Sequence, residues 1–277
     1  MSWFAIEVHP EAERRDAVAA WLVERTGEAV EERADGTLVS FATSAPAAEA
    51  LERDLVEAHG PGLSLARREH PEVDWTLAWR EGLGVRRVGR FAIVPSWIHY
   101  QAGPGELVIV IDPEMAFGSG EHGSTRAALA LLDRFARPGH TVLDLGSGSG
   151  ILTIAAAKLG AAQAIGVEVD AESLPFAFMN AERNGVLERV AFLEGDAAQL
   201  TPLLAPADVI VSNILRLINV ALLPEIRGAL RPGGIAIFSG MEVAEAELFR
   251  APLLEAGFRV VAELIDETWW AVAATPA

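Results

Sequence analysis

Val142-Leu143-Asp144-Leu145-Gly146-Ser147-Gly148-Ser149-Gly150 is an apolar run that takes in one acid and closes on three glycines at alternate positions. It reads as a buried strand and a glycine turn, and the alanine-rich 151–159 that follows reads as a helix. Glycines between a strand and a helix let the main chain approach a ligand closely, because glycine takes the positive φ angles that side chains resist. Glu168 stands 24 positions after Asp144, at the expected tip of the next strand. Together these features describe a nucleoside site.

The spacing also says which nucleoside. A dinucleotide fingerprint needs its third glycine where this chain has Ile151, so pyrophosphate is not the expected guest. A sulfonium nucleoside needs no phosphate cradle, but its methionine ammonium needs an anion, which Asp144 is placed to supply directly or through water. The residues therefore point to S-adenosylmethionine, with Gly146, Gly148 and Gly150 forming its turn. Glu168 is expected to accept from both ribose hydroxyls. Asp170, just past the strand end, reads as a cap for a helix over 171–184. Asp196 closes the third strand and has two readings, an acceptor for the adenine amine or a cap for the segment after it.

Two further stretches carry chemistry. Asp208-Val209-Ile210-Val211-Ser212-Asn213 is a buried strand ending in a polar pair, and the carboxyl ends of parallel strands line the crevice where strand order reverses. Asn213 is thus the candidate catalytic residue, expected to hold an amine nucleophile through its side chain or main-chain carbonyl and aim the lone pair at the methyl carbon. The run M-A-F-G-S-G-E-H-G-S-T-R at 115–126 reads as a glycine-rich loop ending at a helix capped by Ser124 or Thr125. Folded over the cofactor, it would let Phe117 exclude water and Thr125 bond the cofactor carboxylate at the helix start. His122 reads as a structural residue of the loop.

Outward from the motif, strands are expected at 91–95, 107–111, 141–145, 164–168, 190–194, 208–213, 235–240, 259–265 and 269–274, and helices at 124–136, 151–159, 171–184, 217–230 and 243–256. Alternating elements with nearly continuous apolar strands imply an α/β fold with a parallel, Rossmann-like sheet covered on both faces. Only Asp266-Glu267-Thr268 separates the last two strands, so they must pair as an antiparallel hairpin at one edge. Before this domain (91–277), residues 1–69 follow a β-α-β-β-α-β order with a hairpin signal at Asp35-Gly36, which matches a small α+β ferredoxin-like domain. Residues 70–90, with Trp75 and Trp79 on one face of a short helical stretch, read as the linker.

Composition narrows the function. The chain has 277 residues and no cysteine, which excludes disulfides, zinc knuckles, iron–sulfur clusters and thiol catalysis; no metal is expected. A net charge of −17 disfavours nucleic acid and anionic membrane and favours a cationic partner. The start lacks the pattern of a signal peptide, and the apolar run 151–167 is broken by Lys158, Gly160 and Gln163, so a cytoplasmic monomer is expected.

The loop 115–126, D-L-G-S-G-S-G at 144–150 and N-I-L at 213–215, at matching separations, resemble the bacterial ribosomal protein L-eleven methyltransferases, the PrmA family. Asp74-Trp75 and Trp79-Arg80 resemble that family's connector, while residues 1–69 agree more in element order than in residues. The resemblance implies a class I S-adenosylmethionine-dependent methyltransferase that modifies lysine or N-terminal α-amines of a ribosomal protein substrate recognised by the N-terminal domain. It implies cofactor contacts at Thr125, Gly146, Glu168 and Asn213, with Phe117 in the loop. Ser124 stands where the family has threonine and Glu168 where it has aspartate; both changes keep the chemical group. Other acceptors, a different protein or a small-molecule amine, remain open at this point.

Overall fold

The computed structural model describes residues 3–33, 35–60, 63–70, 84–112 and 120–277. Phe117, Trp75 and Trp79 lie outside the described residues. Contacts divide the chain into two units, Met1–Leu83 and Gly84–Ala277.

In the first unit β1 (Trp3–His9), β2 (Glu31–Glu32), β3 (Leu38–Ala42) and β4 (Ser64–His70) form an antiparallel sheet in the order β2-β3-β1-β4. Gly36, at φ +84°, donates to Arg33 O at 2.8 Å and turns the chain from β2 into β3, as Asp35-Gly36 predicts. The helices Arg15–Thr26 and Ala45–His59 pack Val18, Leu22, Leu51 and Leu55 onto Ile6, Val8 and Leu38, giving this unit its own core. The second helix starts at Ser44, whose hydroxyl accepts from Ala47 N.

The second unit opens with a small sheet of β5 (Arg86–Val88), β6 (Phe91–Val94) and β7 (Leu107–Val110). This corrects the expectation from the sequence that 91–95 and 107–111 belong to the main sheet and 86–88 to the linker. The main sheet follows, made of β8 (Thr141–Leu145), β9 (Gln163–Glu168), β10 (Val190–Glu194), β11 (Ala207–Asn213), β12 (Leu230–Glu242), β13 (Phe258–Asp266) and β14 (Trp269–Pro276). Their order is β10-β9-β8-β11-β12-β14-β13, parallel from β10 to β12 and antiparallel in the terminal hairpin. The chain builds outward from β8 to β10 and then returns to lay β11 on the other side of β8. That reversal opens a crevice between the carboxyl ends of β8 and β11.

Alternate residues along these strands serve opposite faces, so the sheet divides two cores. Val142, Val209, Val211 and Ile237 belong to one, and Leu143, Leu145, Ile210 and Phe238 to the other. The helix Ile151–Lys158 follows the glycine turn directly, with every residue from Ile151 to Ala157 buried, as a helix apolar all round must be. Two helices, Arg216–Ala221 and Leu223–Ala229, replace the single one expected over 217–230. Pro224 has no N–H to donate back to Val220, so it suits the first turn of a new helix, and the break falls at Leu222.

Candidate functional site

At the tip of β8 all three glycines of the turn are left-handed, Gly146 at φ +75°, Gly148 at +49° and Gly150 at +81°. The turn is folded onto the end of β9 by Gly146 N and Ser147 N, which both donate to Val167 O, at 2.8 and 3.1 Å. A Cβ on Gly146 would run into Ile214 Cγ2, and one on Gly150 would stand 2.8 Å from Phe192 Cζ. Glycine is therefore required here for space as well as for φ.

Asp144 is turned away from the crevice. Its Oδ2 accepts from Thr153 N (3.0 Å) and Thr153 Oγ1 (2.7 Å), which ties the strand to the first turn of the next helix. Its Oδ1 is buried without a partner among the described residues. Burial pushes the Asp144 carboxyl up to about 7, with the charge of Glu168 adding to the rise and the Thr153 hydrogen bonds opposing it. Direct placement of Asp144 at the crevice surface is thus corrected, since it stands behind the turn, 1% exposed.

Glu168 does face the crevice. Its Oε2 accepts from Gly148 N at 2.8 Å and its Oε1 from Asp170 N at 3.0 Å, so two main-chain donors fix the carboxylate and leave it lone pairs on each oxygen. Asp170 shapes the turn after β9 rather than capping the helix: it accepts from Glu172 N and Ser173 Oγ, and the helix Leu174–Arg183 has Ser173 at its N-cap with no side-chain cap bond. Both readings of Asp196 have a basis, because it caps Ala197–Leu200 through Ala198 N at 2.8 Å and also lines the crevice.

The opposite wall comes from β11 and from the helix Gly123–Phe135. Asn213 Nδ2 donates to Thr125 Oγ1 at 3.3 Å, and Asn213 Oδ1 is buried without a partner among the described residues. Thr125, expected to meet the cofactor, is fully buried and serves Asn213; Ser124 is equally buried, although it borders the cavity. Neither hydroxyl caps the helix; His122 occupies the N-cap through its main chain, with Thr125 N donating to its carbonyl at 3.0 Å. The His122 ring lies 4.1 Å from that of Trp269, its Nδ1 is 2.6 Å from Ser124 Oγ, and burial lowers its pKa.

These groups enclose a cavity of about 840 Å³ that brings together Gly146, Gly148, Glu168, Asp196 and Asn213. Gly150, Asp144 and Thr125 stand behind its surface. Trp269 and an apolar rim of Val169, Leu215 and Ile218 also line it, and the sequence reading missed them. The rim leaves a signal in hindsight, since Leu215 and Ile218 follow Asn213 by two and five positions on the same crossover.

A parallel sheet with this order, an antiparallel terminal hairpin, and a glycine turn beside a strand-tip carboxylate define a class I methyltransferase fold. Residues 24–276 match the family described as "Ribosomal protein L11 methyltransferase (PrmA)". The ribosomal protein L11 methyltransferase of Pelotomaculum thermopropionicum is 42% identical over 216 residues, covering 78% of this chain and 70% of the relative. That of Thermus thermophilus is 43% identical over 196 residues, covering 71% and 75%. The crystal structure of a ribosomal protein L11 methylase from Lactobacillus delbrueckii subsp. bulgaricus superposes with a TM-score of 0.64 at 32% identity, covering 70% of this chain and 99% of that one. The chain belongs to the ribosomal protein L11 methyltransferase family, and it is an enzyme of methyl transfer. Among the described residues, no helix is long and apolar enough to cross a membrane.

Proposed function

We propose that this enzyme methylates lysine or N-terminal α-amines of ribosomal protein L11 in the cytoplasm, with S-adenosylmethionine as donor. The observation that carries this reading is the buried Asn213 Oδ1, which has no partner among the described residues, at the carboxyl end of β11, across the crevice from the glycine turn. A buried acceptor left without a partner is costly, so it waits for a donor. The N–H of an amine is such a donor.

The residues present fit the cofactor. Gly146 and Gly148 present bare main chain to the cavity for a nucleoside, Glu168 keeps lone pairs for the ribose hydroxyls, and Asp144 Oδ1 is the anion behind the turn for an ammonium. Asp196 stands at the far end for the adenine amine. Phe117 and Thr125 complete the proposed set, Thr125 by holding Asn213. When bound, S-adenosylmethionine supplies an electrophilic methyl group on sulfur. The chain's own work is to present a neutral amine.

A lysine amine titrates near ~10.4 and an α-amine near ~8, so at neutral pH the first is almost wholly charged and the second largely so. The apolar rim of Val169, Leu215 and Ile218 strips water from the incoming amine and lowers its pKa. Asn213 Oδ1 then accepts one N–H and leaves the lone pair free to point into the crevice. Proximity and desolvation supply the rate without a dedicated strong base. The first 83 residues form a separate unit, which we assign to recognition of the protein substrate.

Radiolabelled S-adenosylmethionine and a bacterial ribosomal protein extract test the reading. The expected outcome is a single labelled band at L11; label on other proteins with L11 unmarked would overturn it. Glu168→Gln serves as the cofactor-site control. It should fold normally yet weaken S-adenosylhomocysteine binding by about ten- to a hundredfold, the worth of hydrogen bonds to a charged group.

A further inference from the structure

Asn219 is a fully buried polar residue on the short helix that follows the Asn213-Ile214-Leu215 turn. Its Nδ2 donates to Ile214 O and to Ser239 O, both at 3.0 Å, and so joins the end of β11 to the end of β12. Its Oδ1 accepts from Ser212 Oγ at 2.7 Å. An asparagine amide offers two donors and two lone pairs, and three of the four are filled here. Gly240, at φ +83°, lies so close to the Ile214 carbonyl that a Cβ would run into it, which brings the two strand ends together where Asn219 joins them.

The contacts continue around the crevice wall. Ser239 Oγ donates to Ser124 O at 2.8 Å, in the first turn of the helix Gly123–Phe135. The next residue, Thr125, accepts from Asn213 Nδ2. Asn213 follows Ser212 along β11, and the ring closes. Its members are buried apart from the half-buried Asn213 and Ile214, and Ser124, Asn213 and Ile214 border the cavity. One buried side-chain atom of the ring has no partner among the described residues, and it is Asn213 Oδ1.

We propose that Asn219 is a positioning residue for methyl transfer: by tying Ile214 to Ser239 it fixes the main chain that carries Asn213, and so aims Asn213 Oδ1 at the acceptor amine. This role rests on the functional reading above. It differs from a merely stabilising role because it acts through Asn213, and the difference can be measured.

Asn219→Ala, and Asn219→Asp, which keeps the shape but gives up both donors, are assayed well below their melting temperatures with S-adenosylmethionine and purified L11. The kcat is expected to fall by about ten- to a hundredfold, the scale on which a small misplacement of a reacting group acts. The S-adenosylhomocysteine Kd, measured by calorimetry, should stay within about twofold, since the lost interaction belongs to the transition state. The Asn213→Ala/Asn219→Ala double variant should be no slower than Asn213→Ala alone, because residues that act as one unit are not additive. An unchanged kcat in a folded Asn219 variant, or losses that multiply in the double variant, overturns the proposal. If both Asn219 variants fail to fold, Ser239→Ala cuts the same ring by one hydroxyl and must lower kcat at constant Kd for the proposal to stand. A wild type that marks no L11 overturns the functional reading, and this role with it; an active wild type with unaffected variants overturns the positioning role alone.

Discussion

At the scale of the single residue, Asp144 links stability to cofactor binding through one proton. Its folded pKa of about 7 lies far above the unfolded value, and burial is the main cause. Between about pH 4 and 7 the native state therefore holds a proton that the unfolded chain has lost, so this carboxyl costs stability progressively as pH rises through that window, with no further change above it. Asp144→Asn removes the titration: denaturant melts should show wild type losing stability from pH 5 to 7 relative to the variant. An ammonium in the crevice, across the turn from Asp144, favours the charged form, so wild-type affinity for S-adenosylhomocysteine should rise from pH 6 to 8 while the variant binds weakly and evenly. Parallel curves for the two proteins would contradict the assignment. The sequence made the glycines, Glu168 and Asn213 legible because strand-end position alone places them. It did not reveal which way Asp144 points, because that depends on Thr153, nine residues on and in the next helix. Nor did it show that Ser124 and Thr125 are both buried, one against His122 and the other beneath Asn213, because tertiary packing sets those partners.

Among the elements, the small sheet shows why some of the fold was out of reach. β6 and β7 carry the same apolar pattern as the strands of the main sheet, and nothing in that pattern says which sheet a strand joins. A polar side chain braces the arrangement. Asn184 Oδ1 accepts from Val110 N at 2.9 Å and its Nδ2 donates to Val110 O at 2.7 Å, so the amide pairs with β7 as another strand would. Asn184→Ala leaves a part-buried donor and acceptor of Val110 unpaired together, and is expected to lower unfolding free energy by about 2 kcal/mol. Urea melts of the full chain check this, and a change under about 0.5 kcal/mol, typical of surface positions, would mean that solvent replaces the brace. The terminal hairpin was legible for the opposite reason. A three-residue connection permits only antiparallel pairing, whatever the side chains. Its place in the sheet was not, since the last strand β14 lies inside, between β12 and the edge strand β13.

For the whole molecule, the division at Leu83/Gly84 sets the unit that holds the cavity apart from the unit proposed to recognise the substrate. Each unit has its own apolar core, and every residue named on the cavity wall lies in 120–277. A chain starting at Gly84 is therefore expected to fold, and to bind S-adenosylhomocysteine with the affinity of the full protein. It should also methylate a short lysine peptide as slowly as the full protein does, since both then rely on the rim and Asn213 alone. Methylation of intact L11 should fall far more, because the recognition assigned to the first unit is gone. The net charge of −17 adds a second signature. Attraction of a cationic substrate by an acidic protein weakens as salt shortens the screening length to about 8 Å at 0.15 M and about 3 Å at 1 M. The KM for L11 should thus rise steeply with salt in the full chain, while the S-adenosylhomocysteine Kd, set inside the cavity, barely moves. Equal methylation of L11 by the full chain and the shortened one would remove the recognition role from residues 1–83 and return it to the rim of Val169, Leu215 and Ile218.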